Sequence, residues 1–162
     1  MHRRDLLISL AGAAALGPFA ASAQSGGALG PDQFRLVALQ GGEFATQSSQ
    51  VALERSRNGA VRQFAQLEIN EQAAFAGSLG AQPGSVPLRA DHAAMLQQLA
   101  SLQGPRFDRL YVQGQIMGHQ ELLQINGAYA QAGADPVGQA VAQVAVPSIQ
   151  THLSILDRMR RG

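Results

Sequence analysis

The sequence predicts an all-α fold built from four long helices, and three observations carry that reading. Apolar residues recur at three- and four-residue intervals through four long segments, the pattern of helices with one buried face. No segment alternates apolar and polar residues with the period of a half-buried strand, and none is enriched in Val, Ile and Thr. Short turns join the first pair of segments and the last pair, whereas about twenty-five residues separate the pairs. One long crossover between two helical hairpins is the arrangement of ferritin-like folds. The expected architecture is therefore a ferritin-like four-helix bundle with a short extra helix in the crossover between the second and third long helices. An up-down-up-down bundle capped by the short helix is the alternative topology.

Residues 1–23 read as an export signal. Arg3 and Arg4 form a basic start, an Ala/Gly/Leu run follows from Leu6, and Ala21-Ser22-Ala23 offers a small-residue cleavage pattern. The paired arginines before Asp5-Leu6-Leu7 resemble a twin-arginine signal, with the general secretory route as the other reading. The apolar run is too short and too rich in Gly and Ala for a membrane span. Residues 24–30, "QSGGALG", read as a flexible linker, and the bundle domain is expected over 31–162. Pro31-Asp32 opens a helix expected to reach about Arg57, where Asn58-Gly59 breaks it. A second helix follows from about Ala60 to Leu79, and "GAQPGSVP" is a loop. The short helix places Leu88, Met95, Leu99 and Leu102 on one side and stops at Gly104-Pro105. The third long helix is expected from about Arg106 to Ala132, and "AGADP" turns the chain into a fourth, from about Val137 to Arg160. Pro147 lies inside that fourth helix and frees the carbonyl of Gln143. Two readings are open for it: a kink that follows the bundle, or a kink that sets the direction of His152.

Composition excludes several functions. With no cysteine in 162 residues, disulfides, thiolate metal sites and cysteine nucleophiles are absent. The formal net charge is +1, every basic residue is Arg, and no basic run matches a nucleic-acid surface. The C-terminal "RMRRG" reads as a solvated helix end, and Gln97, Gln98 and Gln113 suit outer faces. Mature residues contain no transmembrane span. The expected location is the periplasm, with membrane association, protein partner and oligomeric state left open.

The polar residues that interrupt the apolar faces are more informative. In "FAQLEINEQAAF" (residues 64–75), Phe64, Leu67 or Glu68, Glu71 and Phe75 share one side. In the third long helix, His119 falls within a stripe of Val112, Ile116 and Leu123. In the fourth, His152 falls within Val141, Ala145, Ser148, Ile155 and Met159. The first helix is less clear, with Glu43, Gln47 and Gln50 beside Val37, Phe44 and Val51. Residues near the middle of each helix meet at one height whichever way neighbouring helices run. Glu71, His119 and His152 are therefore candidate ligands for one transition metal ion, with Glu43, Gln47 and Gln72 second in rank. Glu68 is expected nearer the helix edge. The competing reading is a metal-free, hydrogen-bonded polar layer that fixes packing. No Glu-x-x-His occurs anywhere, which argues against a carboxylate-bridged di-iron enzyme. Nothing resembles a nucleophile turn, so a non-enzymatic role is expected, with a redox-active metal bundle third.

"VRQFAQLEINEQ", "FDRLYVQGQIMGH" and "VPSIQTHL" together resemble segments of an exported bacterial family known as domain of unknown function 4142. The resemblance runs from about Phe34 to Leu156, and Phe107-Asp108, Tyr111, His119, Pro147 and His152 carry it most specifically. It implies a ferritin-like helical fold with no established activity. The family pattern implies an Asp-His pair where this chain has Glu71-Gln72, and an acidic residue where it has Gly118. His119 and His152 match. The resemblance thus implies a metal site short of one nitrogen ligand, or a site reduced to a hydrogen-bonded layer.

Overall fold

In the computed structural model, which describes residues 29–161, the chain forms five helices. They are α1 (Pro31–Arg55), α2 (Gly59–Ser78), α3 (Ala90–Ala100), α4 (Gly104–Ala132) and α5 (Pro136–Arg161). No strand occurs among the described residues. The export signal expected over 1–23 lies outside them, as does most of the 24–30 linker. Local chemistry explains the boundaries. Pro31 supplies the first position of α1, where its missing N–H costs nothing. The Asn58 side chain accepts from the amides of Ala60 and Val61 and caps α2. Gly80 and Gly104 take φ of +66° and +59°, a left-handed conformation that side chains disfavour, at the end of α2 and the start of α4. Pro147 stays within the span of α5, on its exposed side, and its carbonyl accepts a bond from the Thr151 hydroxyl.

Pairings along the helices determine the topology. Phe34 stacks on Tyr129 with ring centroids 3.8 Å apart, while Ser56 donates to Asp108 at 2.6 Å, so α1 and α4 run antiparallel. Glu71 meets Ser148 and Glu68 meets His152, so α2 and α5 also run antiparallel. Because α1 and α2 form one hairpin and α4 and α5 the other, α2 and α4 must point the same way. The chain is thus up, down, down, up. Only a connection spanning the bundle can join α2 to α4, and residues 79–103, carrying α3 against α1 and α4, provide it. This is the ferritin-like arrangement, and the up-down-up-down alternative is excluded.

The core has two apolar ends and a polar middle. Val61, Phe64, Leu99, Phe107, Tyr111 and Leu156 pack at one end. Phe34, Ala38, Tyr129 and Ala142 pack at the other. Each large apolar side chain among them contributes about 1.5–3 kcal/mol by its burial. The buried face of α1 consists mostly of small residues, among them Gly41, Ala45, Ser48, Ser49 and Ala52. They let α4 approach so closely that a Cβ on Gly41 would lie 2.6 Å from Leu122 Cδ2. Hydrogen bonds replace apolar contact along this seam: Ser49 Oγ lies 2.8 Å from Tyr111 OH, and Gln115 Nε2 donates to Ser48 Oγ at 2.9 Å.

Candidate metal centre

In the middle of the bundle, α2, α4 and α5 bring Glu68, His119 and His152 together. Their donor atoms all lie within 4.8 Å of one another, and all three residues are buried. Glu68 Oε1 is 3.0 Å from His119 Nε2 and 2.6 Å from His152 Nδ1. The two ring nitrogens are themselves 3.2 Å apart. Phe64 closes the layer from one side, its ring centroid 6.1 Å from that of His119 and 5.5 Å from that of His152.

The outer atoms of both imidazoles are already committed. His119 Nδ1 lies 2.8 Å from the carbonyl oxygen of Gln115, which can only accept, so Nδ1 carries a proton. His152 Nε2 lies 3.2 Å from Glu71 Oε2, and Glu71 Oε2 also accepts from Ser148 Oγ at 2.8 Å. In neutral rings this arrangement leaves the lone pairs of His119 Nε2 and His152 Nδ1 pointing at a carboxylate oxygen. Three acceptors in one place repel unless a proton or a cation sits among them. With a proton, the layer is a carboxylate–imidazolium pair. Burial alone would raise the Glu68 pKa, but bonds from His119 and His152 outweigh it and hold the carboxyl at about 2. Burial alone would lower the basicity of His152, but Glu68 first and Glu71 second raise it. With a cation, the same atoms serve as ligands. Around a metal with bonds of about 2.0–2.1 Å, neighbouring donors stand roughly 2.8–3.4 Å apart. The separations of 3.0 and 3.2 Å fall in that range, and the 2.6 Å contact between Glu68 and His152 would open slightly to admit an ion.

The sequence expectation for Glu71 needs correcting in part. Glu71 does pair with His152, but its side chain is 41% exposed and it touches the outer ring nitrogen. Glu68, expected near the helix edge, has 0% exposure and holds the inner position. The reason lies in how the buried face of α2 is centred. At about 100° per residue, Glu68 lies some 60° around the helix from Glu71. The buried residues Val61, Phe64, Ala65 and Ala76 flank Glu68, not Glu71. Centring the face between Phe64 and Phe75 overlooks the two alanines, because small residues bury a face without announcing it.

The second-rank residues part company. Gln72 Nε2 donates to the second oxygen of Glu68 at 3.3 Å, while its Oε1 occupies space that Gly42 leaves open. Glu43 and Gln47 lie away from the cluster. Glu43 is buried, accepts from Gln47 Nε2 at 2.6 Å and from the Gly84 amide at 2.7 Å, and so pins the crossover loop to α1. Gln50, on the same expected stripe, is exposed. Gly118 lies against the Phe44 ring and contributes no polar group. Sequence reading also missed His92, which is buried on α3 and stacked on Phe44 at 4.6 Å. Its position between Leu88 and Met95 in the apolar stripe of the short helix was the available signal.

A cleft of about 530 Å³ leads to the layer from solvent, between the C-terminal half of α2 and the N-terminal half of α5. Phe75, Val141, Val144 and Ile149 give it apolar walls, and His119 and His152 lie at its inner side.

A family model described as a domain of unknown function, DUF4142, matches residues 17–159. No curated protein matches the chain. Among solved structures, CopM in the Cu(II)-bound form is similar, with a TM-score of 0.70 and 15% identity over 83% of this chain and 97% of that one. A DUF305 fragment from Deinococcus radiodurans is similar too, with a TM-score of 0.65 and 22% identity over 84% of this chain and 99% of the fragment. At these identities the likeness is one of helical-bundle fold.

Proposed function

The chain belongs to the DUF4142 family, and within it we propose that this member is an exported, non-enzymatic bundle that binds one transition metal ion through Glu68, His119 and His152. One observation carries the proposal. Each imidazole spends its outer nitrogen on a fixed acceptor, Gln115 carbonyl or Glu71 carboxylate, and turns the other toward Glu68. Metal-ligating histidines are held this way, because the outer bond fixes ring orientation and raises ligand basicity. Glu71 thereby becomes the residue that orients His152. Two nitrogens and one carboxylate oxygen suit Cu(II) or Zn(II), and Cu(II) binds such donors most tightly of the divalent series. The Cu(II) in CopM makes copper the first ion to test.

The metal-free layer is the second reading. It is favoured by the raised basicity of His152 beside a Glu68 that stays ionised, which makes a self-sufficient charged pair. Elemental analysis of the exported, untagged mature protein divides the two. Near-stoichiometric metal is expected in the parent and none in the His119→Ala, His152→Ala double variant. Affinity, read by chelator competition, should fall about tenfold to a hundredfold in Glu71→Gln, as for an orienting partner, and further in Glu68→Gln. A parent that takes up no copper, zinc or iron on incubation would leave a packing device. Turnover with oxygen or peroxide would instead make the bundle a redox enzyme.

A further inference from the structure

Charge is strongly segregated along the bundle axis. The up-down-down-up topology gathers the C-termini of α1 and α5 and the N-termini of α2 and α4 at one end. That end holds Arg55, Arg57, Arg62, Arg106, Arg109, Arg158, Arg160 and Arg161, eight of the ten arginines in residues 29–161. Glu54, Asp108 and Asp157 are its only carboxylates among the described residues. The other two arginines share the rest of the bundle with seven carboxylates. Asp157 pairs with Arg160 and Arg161, whereas the remaining six arginines of this end form no ion pair among the described residues. Seven of the eight are exposed.

Helix stability accounts for only part of this arrangement. The helix dipole welcomes cations at the C-termini of α1 and α5 but disfavours them at N-termini. Arg62, in the opening turn of α2, donates to the carbonyls of Leu53 and Ser56 at the end of α1, whereas Arg106 lies in the opening turn of α4, which has no acid in its first turn. Between α4 and α5 the same end carries a groove of about 910 Å³. Ile116, Met117 and Met159 line it beside Arg109 and Arg160, and Met117 is 52% exposed. Asp108 is the one carboxylate in the lining, against Arg109, Arg160 and Arg161. This mixture of apolar side chains and cations matches a lipid interface, where headgroup phosphates meet the cations and the acyl boundary receives the apolar groups.

We infer that the basic end of the bundle docks on an anionic phospholipid surface. A nucleic-acid duplex presents a linear array of phosphates and calls for a stripe of cations along an element, whereas these cations ring a blunt end around an apolar groove. Docking in this orientation leaves the metal cleft free, because the cleft opens in the opposite half of the bundle. The inference does not depend on metal binding.

Co-sedimentation of the mature chain with vesicles tests it. Binding is expected to phosphatidylglycerol vesicles and not to phosphatidylcholine vesicles, and should weaken as salt rises. In the Arg106→Gln, Arg109→Gln, Arg158→Gln triple variant it should fall on the order of a hundredfold, each arginine near a charged surface contributing about 1 kcal/mol. An unchanged thermal midpoint verifies that the variant is folded. Arg35→Gln, at the opposite end, should bind as the parent does. Equal binding to both vesicle types, an unaffected triple variant, or tighter binding to duplex DNA at matched phosphate concentration would each overturn the inference.

Discussion

Glu68 shows how a single buried carboxylate governs the chemistry around it. Without exposure to water it must be ionised beside a positive partner or be protonated, and the two imidazoles decide for ionisation. The same interactions make the stability of the metal-free protein depend on pH. Glu68 is held at about 2, below its ordinary value of 4.5, so its contribution is present above about 4.5 and is lost as pH falls toward 2. His152 is raised above its ordinary 6.5, so its contribution is complete below about 6.5 and is lost as pH rises through the raised value. Denaturant midpoints of the metal-free chain should therefore be highest between about pH 4.5 and 6.5 as far as this pair is concerned. A His152→Gln variant should lose the alkaline decline, and an unchanged slope there would remove the imidazolium. The two histidines were legible in the sequence because each stands alone in an apolar stripe. Which acid joins them was not, since a rotation of about 60° separates the two choices.

At the level of the helix, small residues explain both what was read and what was missed. The polar stripe of α1 is ambiguous in the sequence because its buried face is mostly Gly, Ala and Ser, residues that mark neither a strongly apolar nor a strongly polar side. Their function is close approach, which becomes visible only when α4 is seen against them. Two glycines let this be measured. A Cβ at Gly133 would lie 2.6 Å from the Tyr129 ring and 2.7 Å from its carbonyl oxygen. Gly133→Ala should thus destabilise the fold by about 1–3 kcal/mol through overpacking. A Cβ at Gly127, within α4, would meet nothing within 4 Å. Gly127→Ala should stabilise by about 0.5–1 kcal/mol, as expected when a helical glycine is replaced in open space. Chemical denaturation of both variants reads the contrast, and equal effects would mean that α4 and its C-terminal turn do not pack as described.

The Glu68–His119–His152 layer draws its three candidate ligands from α2 in one hairpin and from α4 and α5 in the other, so an ion bound there would tie the halves of the molecule together. Copper at about a hundred times its dissociation constant should add about 2.7 kcal/mol to stability, raising the thermal midpoint by several degrees. Above about pH 6.5 its pH dependence should oppose that of the metal-free chain, because protons compete for the imidazoles and the gain shrinks on acidification. A shift that persists in the His119→Ala, His152→Ala variant would place the ion elsewhere. By itself the sequence determined the four long helices, their ends to within about two residues, the long crossover and the polar mid-layer. The short helix stops at Ala100, short of the expected Gly104-Pro105, which open α4 instead. The features that were determined follow from local periodicity, turn residues and segment lengths, which act over a few residues of chain. Only the tertiary structure decided that Glu68 is the inner carboxylate and Glu71 the outer one, that Glu43 ties down a loop, and that eight arginines share one end. Each of these depends on the rotation and direction of helices relative to one another, set by packing between residues distant in the chain.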